Sequence, residues 1–192
     1  MKRFLYGLAL CLALAACTGV PLRSLPRLMQ LPKALLDANP AELMVALQVD
    51  ARMTPSAGTV PLLSIKLAPR EPGGFEAIDK QLPMQVSVAA SSTLGLDAPG
   101  AGRRWLLYSL PASTQLELVR IQGIMQRARA QAQDKGGGTL SVGVTQDSLA
   151  ATNPALADTR WETWLQIKQR DGFFEVWSGT PAQLQKSAAA KP

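Results

Sequence analysis

Histidine is absent from this 192-residue chain, and cysteine occurs only twice, as Cys11 and Cys17. Without histidine the chain lacks the usual imidazole base at neutral pH, every histidine-containing catalytic triad and the HExxH zinc site. No Ser-x-x-Lys motif is present to support a serine–lysine mechanism. Because only hydroxyls, lysines and carboxylates remain for chemistry, we expect no catalytic residue, no cofactor and no metal site.

The first seventeen residues have the pattern of a secretory signal. Lys2-Arg3 form a short positive start, residues 4–14 form an apolar run, and Ala15-Ala16 place small residues before Cys17. The apolar run is shorter than the roughly 20 residues that a membrane-spanning helix needs. The segment 1–16 therefore reads as a signal peptide.

The tetrapeptide Leu14-Ala15-Ala16-Cys17 resembles the lipobox of bacterial lipoproteins. The resemblance implies that the sulfur of Cys17 carries a diacylglycerol group and that the new amino terminus is acylated, which gives stable anchoring. Thr18 stands where an aspartate would resemble an inner-membrane retention signal. The implied address is the periplasmic face of the outer membrane. The alternative is an ordinary signal peptide cut after Ala16, with an incidental cysteine.

Loss of the signal changes both the charge and the cysteine count. The chain has 20 Lys and Arg residues against 14 Asp and Glu residues, and only Lys2 and Arg3 fall in the signal. The remaining surplus of positive charge suits anionic envelope components, or simply a solvated surface, and this compartment excludes nucleic acid as a partner. Because Cys11 is removed and Cys17 is lipidated, we expect no disulfide and no free thiol.

The sequence predicts a single domain, which we place at 25–179. A lipidated tether precedes it at 17–24 and a mobile tail follows it at 180–192. Residues 32–40 read as a turn or a single helical turn. Short apolar runs predict strands at Leu25–Leu31, Leu43–Val49, Val60–Leu67, Gln81–Ala89, Trp105–Leu110 and Thr139–Val144.

One segment has a clear helical period. Thr114 and Glu117 have the spacing of a capping box, and Lys135-Gly136 form a helix stop. The triple glycine 136–138 follows this helix, so it reads as a helix-to-strand turn and not as a phosphate-binding loop. An apolar stripe at helical spacing is formed by Leu118, Ile121, Met125, Ala128 and Ala132.

A hairpin is predicted at the end of the domain, where segments 160–169 and 173–178 flank Asp171-Gly172. A two-residue turn there would oppose Lys168 to Glu175 and Ile167 to Val176. The core face would then carry Leu165, Ile167, Phe174 and Val176. The opposite face would carry Trp164, Phe173 and Trp177. The predicted fold class is α+β: an antiparallel or mixed sheet of about six or seven strands with one long helix packed on it.

Two surfaces are candidate binding sites. Trp164, Phe173 and Trp177, with Arg170 beside them, would bind a protein partner, a glycan or an apolar ligand if they are exposed. The alternative is that another element covers them. A basic set formed by Arg103, Arg104, Arg120 and Arg127 would contact anions, with Arg120 and Arg127 two helical turns apart; a solvated helix face explains it equally well.

A third candidate is weak. Glu76 and Asp79 are three residues apart and would share a helical face, but no further ligand pattern surrounds them.

Two hypotheses for function follow. The first is a non-catalytic interaction module, an accessory subunit of an envelope assembly that is held to the membrane through Cys17. The second is a binder or carrier of an apolar ligand such as a lipid acyl chain, which needs a cavity between sheet and helix. A solid core with exposed hairpin aromatics would favour the first hypothesis, and a sizeable apolar cavity would favour the second. The expected lining of such a cavity is Leu118, Ile121, Met125, Trp105 and Leu107.

Overall fold

The computed structural model describes residues 19–55, 57–69, 76–131, 138–145 and 154–183. The signal segment, Cys17, the helix stop at Lys135-Gly136 and residues 184–192 of the expected tail lie outside these ranges. At the described start of that tail, Pro181 is fully buried and the amide of Ala182 donates to the carbonyl of Ala157 at 3.2 Å. Thr180 to Gln183 are therefore packed against the domain.

Eight strands occur in the described ranges, and every pairing between them is antiparallel. Five strands form one sheet in the order β4-β5-β1-β7-β8, and three form a second sheet in the order β3-β2-β6. The α+β class is confirmed, but a single sheet of six or seven strands is wrong. The strands are β1 Met44–Asp50, β2 Leu62–Pro69, β3 Ile78–Pro83, β4 Gln85–Ala89, β5 Arg103–Ser109, β6 Gly138–Thr145, β7 Trp161–Gln166 and β8 Phe174–Gly179.

Two α-helices accompany the sheets in the described residues, where the sequence predicted one. They are α1, Leu25–Leu36, and α2, Ala112–Gln131. Neither is long and apolar enough to cross a membrane, and the same holds for every other helix in the described part of the chain. Short 3₁₀ helices occur at Leu22–Ser24, Pro40–Glu42, Pro154–Leu156 and Gln169–Asp171.

The five-stranded sheet has apolar side chains on both faces. On the central strand β1, Val45 is paired with Tyr108 on one side and Leu165 on the other, so these residues point to one face. That face packs against the three-stranded sheet and the helices to form the main core. The opposite face carries a smaller cluster of Ala46, Leu96, Trp105 and Leu107.

The three-stranded sheet is amphipathic. Along β2, Leu63, Ile65 and Leu67 are buried, whereas the intervening Lys66 is exposed. The predicted strand 81–89 is divided between the two sheets at Met84, which lies between β3 and β4. The amide of Met84 donates to the carbonyl of Pro61 at 2.8 Å. The chain thus turns from one sheet into the other within a single residue.

The prediction of a strand at Leu25–Leu31 is wrong. Of the two alternatives for 32–40, the helical turn is found at residues 32–36, as the last turn of a longer helix. Both segments contribute to α1, whose Leu28, Leu31 and Leu35 recur at helical spacing on one face. Pro26 lies in the first turn, where a proline needs no amide partner. Pro32 lies inside the helix and removes one backbone hydrogen bond there. The leucine face, which is half-buried against the sheets, contributes stabilising contacts that offset this loss.

The predicted long helix is confirmed, but the prediction that Thr114 and Glu117 form a capping box at its start is wrong. The helix begins at Ala112, so Thr114 lies inside its first turn. Thr114 is 2% exposed, and its hydroxyl donates to the carbonyl of Pro83 at 2.7 Å. Its side chain therefore fastens α2 to the end of β3. Glu117 instead lies 3.7 Å from Lys80 and 3.8 Å from Arg120.

The hairpin of β7 and β8 is present, but its predicted register is wrong. Leu165 pairs with Phe174 and Trp164 with Glu175, so neither Lys168 nor Ile167 has its expected partner. The 3₁₀ helix Gln169–Asp171 replaces the two-residue turn. A bulge follows: Thr163 pairs with Trp177, which leaves one extra residue on β8.

Candidate functional site: an apolar cavity

A half-open cavity of about 490 Å³ lies between the two sheets and the helices. Protein interiors are normally close-packed, with few voids larger than a water molecule. Ligand pockets, in contrast, typically measure about 300–1,000 Å³. The wall is formed by Leu28, Leu31, Leu35, Leu43, Met44, Val45, Leu47, Leu63, Ile65, Met84, Tyr108, Leu110, Leu118, Val142, Gly143, Val144, Trp161, Thr163, Leu165, Val176 and Trp177.

Side chains on the inner strands are incompletely buried, which indicates that the space between the two sheets is not filled. Strands β1 and β7 each have a neighbouring strand on both sides. In a filled core, their inward side chains would be fully buried. Val45 on β1 and both Thr163 and Leu165 on β7 are only half-buried, although all three face the second sheet. Their free surface is the wall of the cavity.

Among the described residues, no charged side chain lines the wall. Its polar side-chain groups are the hydroxyls of Thr163 and Tyr108 and the indole nitrogens of Trp161 and Trp177. Burial raises the pKa of Tyr108 well above its ordinary value, so this hydroxyl stays neutral. A cavity of this kind does not hold water well and accepts apolar molecules.

Two indole nitrogens, those of Trp161 and Trp164, are buried without a hydrogen-bond acceptor among the described residues. Trp161 lines the cavity, but Trp164 packs on the other face of the sheet. An unpaired indole is therefore not a specific feature of the cavity wall.

The cavity reaches the surface at the edges of the sheets. Val142 lies on the edge strand β6 and is paired with Ile65, so its side chain points inward. Ile65 is 4% exposed, whereas Val142 is 42% exposed. The edge strand of the other sheet, β8, also contributes to the wall, through Val176 and Trp177.

Helix α1 supplies the remaining wall through Leu28, Leu31 and Leu35, and we call it the lid. Three contacts fasten its start to β8. Arg23, just before the lid, donates to the carboxylate of Glu175 at 2.6 Å. The guanidinium of Arg27 lies 5.2 Å from the centre of the Phe174 ring, and the amide of Ser178 donates to the carbonyl of Gly19.

The end of the lid is fastened by α2. The side-chain amide of Gln122 donates to the carbonyls of Leu35 at 2.7 Å and Ala38 at 3.0 Å. Gln126 donates to the carbonyl of Leu36 at 3.1 Å. The last carbonyls of a helix have no partner within the helix, so these bonds satisfy acceptors that would otherwise be unpaired. Gln122 is 7% exposed, which makes its bonds part of the interior.

Comparison with known proteins gives no match: no family model, no curated protein and no solved structure resembles this chain. The function of the chain is therefore inferred from its own residues.

The hairpin aromatics do not form one surface. Trp164 and Phe173 pack against the smaller cluster, where the rings of Trp164 and Trp105 meet edge to face with centroids 6.2 Å apart. Trp177 packs against the main core and lines the cavity. The extra residue on β8 moves Trp177 to the opposite face. The prediction that the three rings share a face is wrong, and exposed Arg170 lies in the turn, 3.6 Å from Asp171.

The expected lining of the cavity is also largely wrong. Of the five residues named from the sequence, Leu118 lines it. Ile121 and Met125 belong to the main core but not to the cavity wall. Trp105 and Leu107 lie on the other face of the five-stranded sheet. The wall consists mainly of side chains from the two sheets and the lid.

The basic candidates have different environments. The side chain of Arg120 is 74% exposed on α2, and Arg127 is exposed on the same helix. Arg103 is not free to bind an anion: it donates to the carboxylate of Glu162 and to the carbonyls of Gln48 and Arg160, each at 2.9 Å. Arg104 is half-buried at the start of β5. Arg103 therefore has a structural role in joining three segments.

The carboxylate pair is not assembled. A strand begins at Ile78, so Glu76 and Asp79 do not share a helical face. Asp79 instead forms an ion pair with Lys66 at 3.0 Å across β2 and β3. In the described part of the chain, no group of three or more metal-ligating side chains comes together.

Sequence reasoning missed the lid, although a signal for it was present. Leu28, Leu31 and Leu35 have the spacing i, i+3, i+7 of a helix face. The prolines at 26 and 32 hid this pattern, because they favour extended or turn structure in isolation.

Proposed function

We propose that the mature chain is a lipid-anchored envelope protein that binds or carries an apolar ligand, of the class of a lipid acyl chain, beneath the lid. The cavity of about 490 Å³ is the observation that carries this proposal. Its size matches that of ligand pockets, and its wall offers apolar surface without charge. A ligand with a long hydrocarbon part would remove that surface from water at about 25 cal/mol per Å².

The proposed anchor is the diacylglycerol group on Cys17, with the protein on the periplasmic face of the outer membrane. The lipobox-like Leu14-Ala15-Ala16-Cys17 supports this address. We propose no catalytic step. The chain contains no histidine, and the wall residues that the structure describes include no charged group that would act as a base.

Binding in the cavity is preferred to the interaction-module hypothesis for a structural reason. That hypothesis depended on a patch formed by Trp164, Phe173 and Trp177. Since Trp177 lies on the opposite face from the other two, the patch would have to function without it. A protein partner stays a proposal that the purification described below also tests.

A matched pair of substitutions tests the cavity. Val45 faces it from the central strand, whereas Val88, also on the five-stranded sheet, is 51% exposed and outside its wall. We expect Val45→Phe to weaken binding of an environment-sensitive fluorescent fatty acid at least tenfold, and Val88→Phe to leave it unchanged. Equal binding by both variants, or no binding by the wild-type protein, would contradict the proposal.

The same variant reports on whether the space is empty. Filling a cavity commonly stabilises a protein by about 0.5–2 kcal/mol. Overpacking a filled core costs about 1–3 kcal/mol. We therefore expect Val45→Phe to unfold at a urea concentration equal to or above that of the wild type.

Purification of the tagged protein from its own membranes in mild detergent tests whether a natural ligand is bound and which molecule it is. Mass spectrometry of the preparation would identify bound lipids, co-purifying proteins and the mass of the N-terminal peptide. A retained lipid supports the proposal, and an acylated Cys17 supports the anchor. A stoichiometric protein partner without lipid would favour the interaction module.

A further inference from the structure

The outer surface of the lid is apolar although it faces solvent. Leu22 just before the lid is 82% exposed, and within it Leu25 is 43% and Met29 is 84% exposed. These side chains lie away from Leu28, Leu31 and Leu35, which line the cavity. A helix apolar on both sides has a second surface that remains to be covered.

Charge indicates what covers this surface. The segment 19–36 contains Arg23, Arg27 and Lys33 and no acidic residue. Arg23 is paired with Glu175 and Arg27 lies over the ring of Phe174, whereas Lys33 takes part in no salt bridge in the described part of the chain. Exposed leucine and methionine beside unpaired positive charge are typical of a helix lying in the interface of an anionic bilayer.

The position of the lid along the chain favours the same partner. It begins at Leu25, only eight residues after Cys17. A fully extended segment of that length spans at most about 29 Å. A diacylglycerol group on Cys17 would therefore hold the lid close to the lipid head groups.

A second copy of the chain fits this surface less well. A two-fold contact would place the same patch on both sides of the interface, so the positive charge of Lys33 would face that of its own copy. Like charges that face each other across an interface disfavour association.

We propose that the outer face of the lid, formed by Leu22, Leu25, Met29 and Lys33, docks on the anionic bilayer that carries the anchor. Docking turns the same helix toward two apolar environments, the cavity on one side and the membrane on the other. The inference depends on the proposed anchor at Cys17 but not on ligand binding in the cavity.

Site-specific labelling tests the docking. Because Cys11 is lost with the signal and Cys17 is acylated, Met29→Cys supplies a unique thiol for an environment-sensitive fluorophore in the full processed protein. Leu116→Cys is the matched control, since Leu116 is 73% exposed on α2. The two labelled proteins would be reconstituted in vesicles of phosphatidylcholine with phosphatidylglycerol, and quenching by nitroxide-labelled lipid measured.

The proposal predicts at least threefold stronger quenching at position 29 than at position 116. Substituting Lys33→Gln should reduce the quenching at 29 toward the control. Equal quenching at the two positions would overturn the docking, whether both labels are quenched or neither is.

Two further readouts separate the proposals. A Cys17 that takes up the label would overturn the anchor and, with it, the docking. An acylated protein that binds the fluorescent fatty acid while position 29 stays in water would overturn the docking alone.

Discussion

Arg23 and Glu175 form an ion pair with 2.6 Å between nitrogen and oxygen, and this pair joins the start of the lid to the last strand of the five-stranded sheet. The two partners differ in environment. The side chain of Arg23 is 71% exposed, whereas that of Glu175 is 9% exposed. Since a buried carboxylate needs a compensating partner, the arginine keeps the lid and the carboxylate in place together.

Loss of this arginine should destabilise the protein. We expect Arg23→Ala to lower the free energy of unfolding by about 1–3 kcal/mol, because it leaves a buried acceptor unpaired. Glu175→Gln should lower it less, since the amide carries no charge, and Arg23→Ala should then add little to it. Urea unfolding measures all three variants. Arg120→Ala, at a 3.8 Å exposed pair, is the control, and an equal loss there would refute the argument.

The other end of the lid depends on a buried glutamine. Gln122→Met keeps the length of the side chain but removes the donors to the carbonyls of Leu35 and Ala38. We expect faster hydrogen exchange across residues 25–36 and a loss of about 1–3 kcal/mol. Gln126→Met removes one bond from an exposed residue, so its effect on exchange should be much smaller. If the two variants exchange alike, Gln122 is not what closes the lid.

Glu162 should make stability depend on pH. Burial raises its pKa, but hydrogen bonds and charges from Arg103 and Arg160 outweigh burial, so the pKa lies below its ordinary value. Its contribution to stability is therefore complete above the unfolded pKa, about 4.3, and is lost as the pH falls through the folded pKa. We expect Glu162→Gln to be less stable at pH 7 and to lose less stability between pH 7 and pH 3. Urea unfolding at each pH checks this, and parallel curves would contradict it.

The sequence predicted those elements whose signal is local. The apolar run that became β1 and the periodic segment that became α2 lie within two residues of their expected starts. The lid was missed because two prolines suggested extended structure, while the burial that stabilises the helix comes from residues far away in the chain. The hairpin register was missed because Asp171-Gly172 suits more than one loop, and the bulge on β8 depends on its neighbours.

The cavity could not be predicted for a different reason. Val45, Leu63 and Leu165 read equally well as members of a filled core, since the same apolar pattern serves both. Whether space remains between them depends on the distance between two sheets, which no local pattern determines. The division of Trp164 and Trp177 between two faces likewise depends on one extra residue in the pairing.

The passage of the chain through Met84 has a mechanical consequence. Because β3 and β4 belong to different sheets, this one residue is the shortest connection between the two walls of the cavity. No ladder of backbone hydrogen bonds joins those walls within the described ranges, so side chains alone set their spacing. Met84 is thus the point at which the two sheets are joined, and their spacing can change about this point. The proposed ligand binding therefore predicts that apolar ligands of different width bind by a small change in the spacing between the two sheets, while the strand pairing within each sheet stays intact.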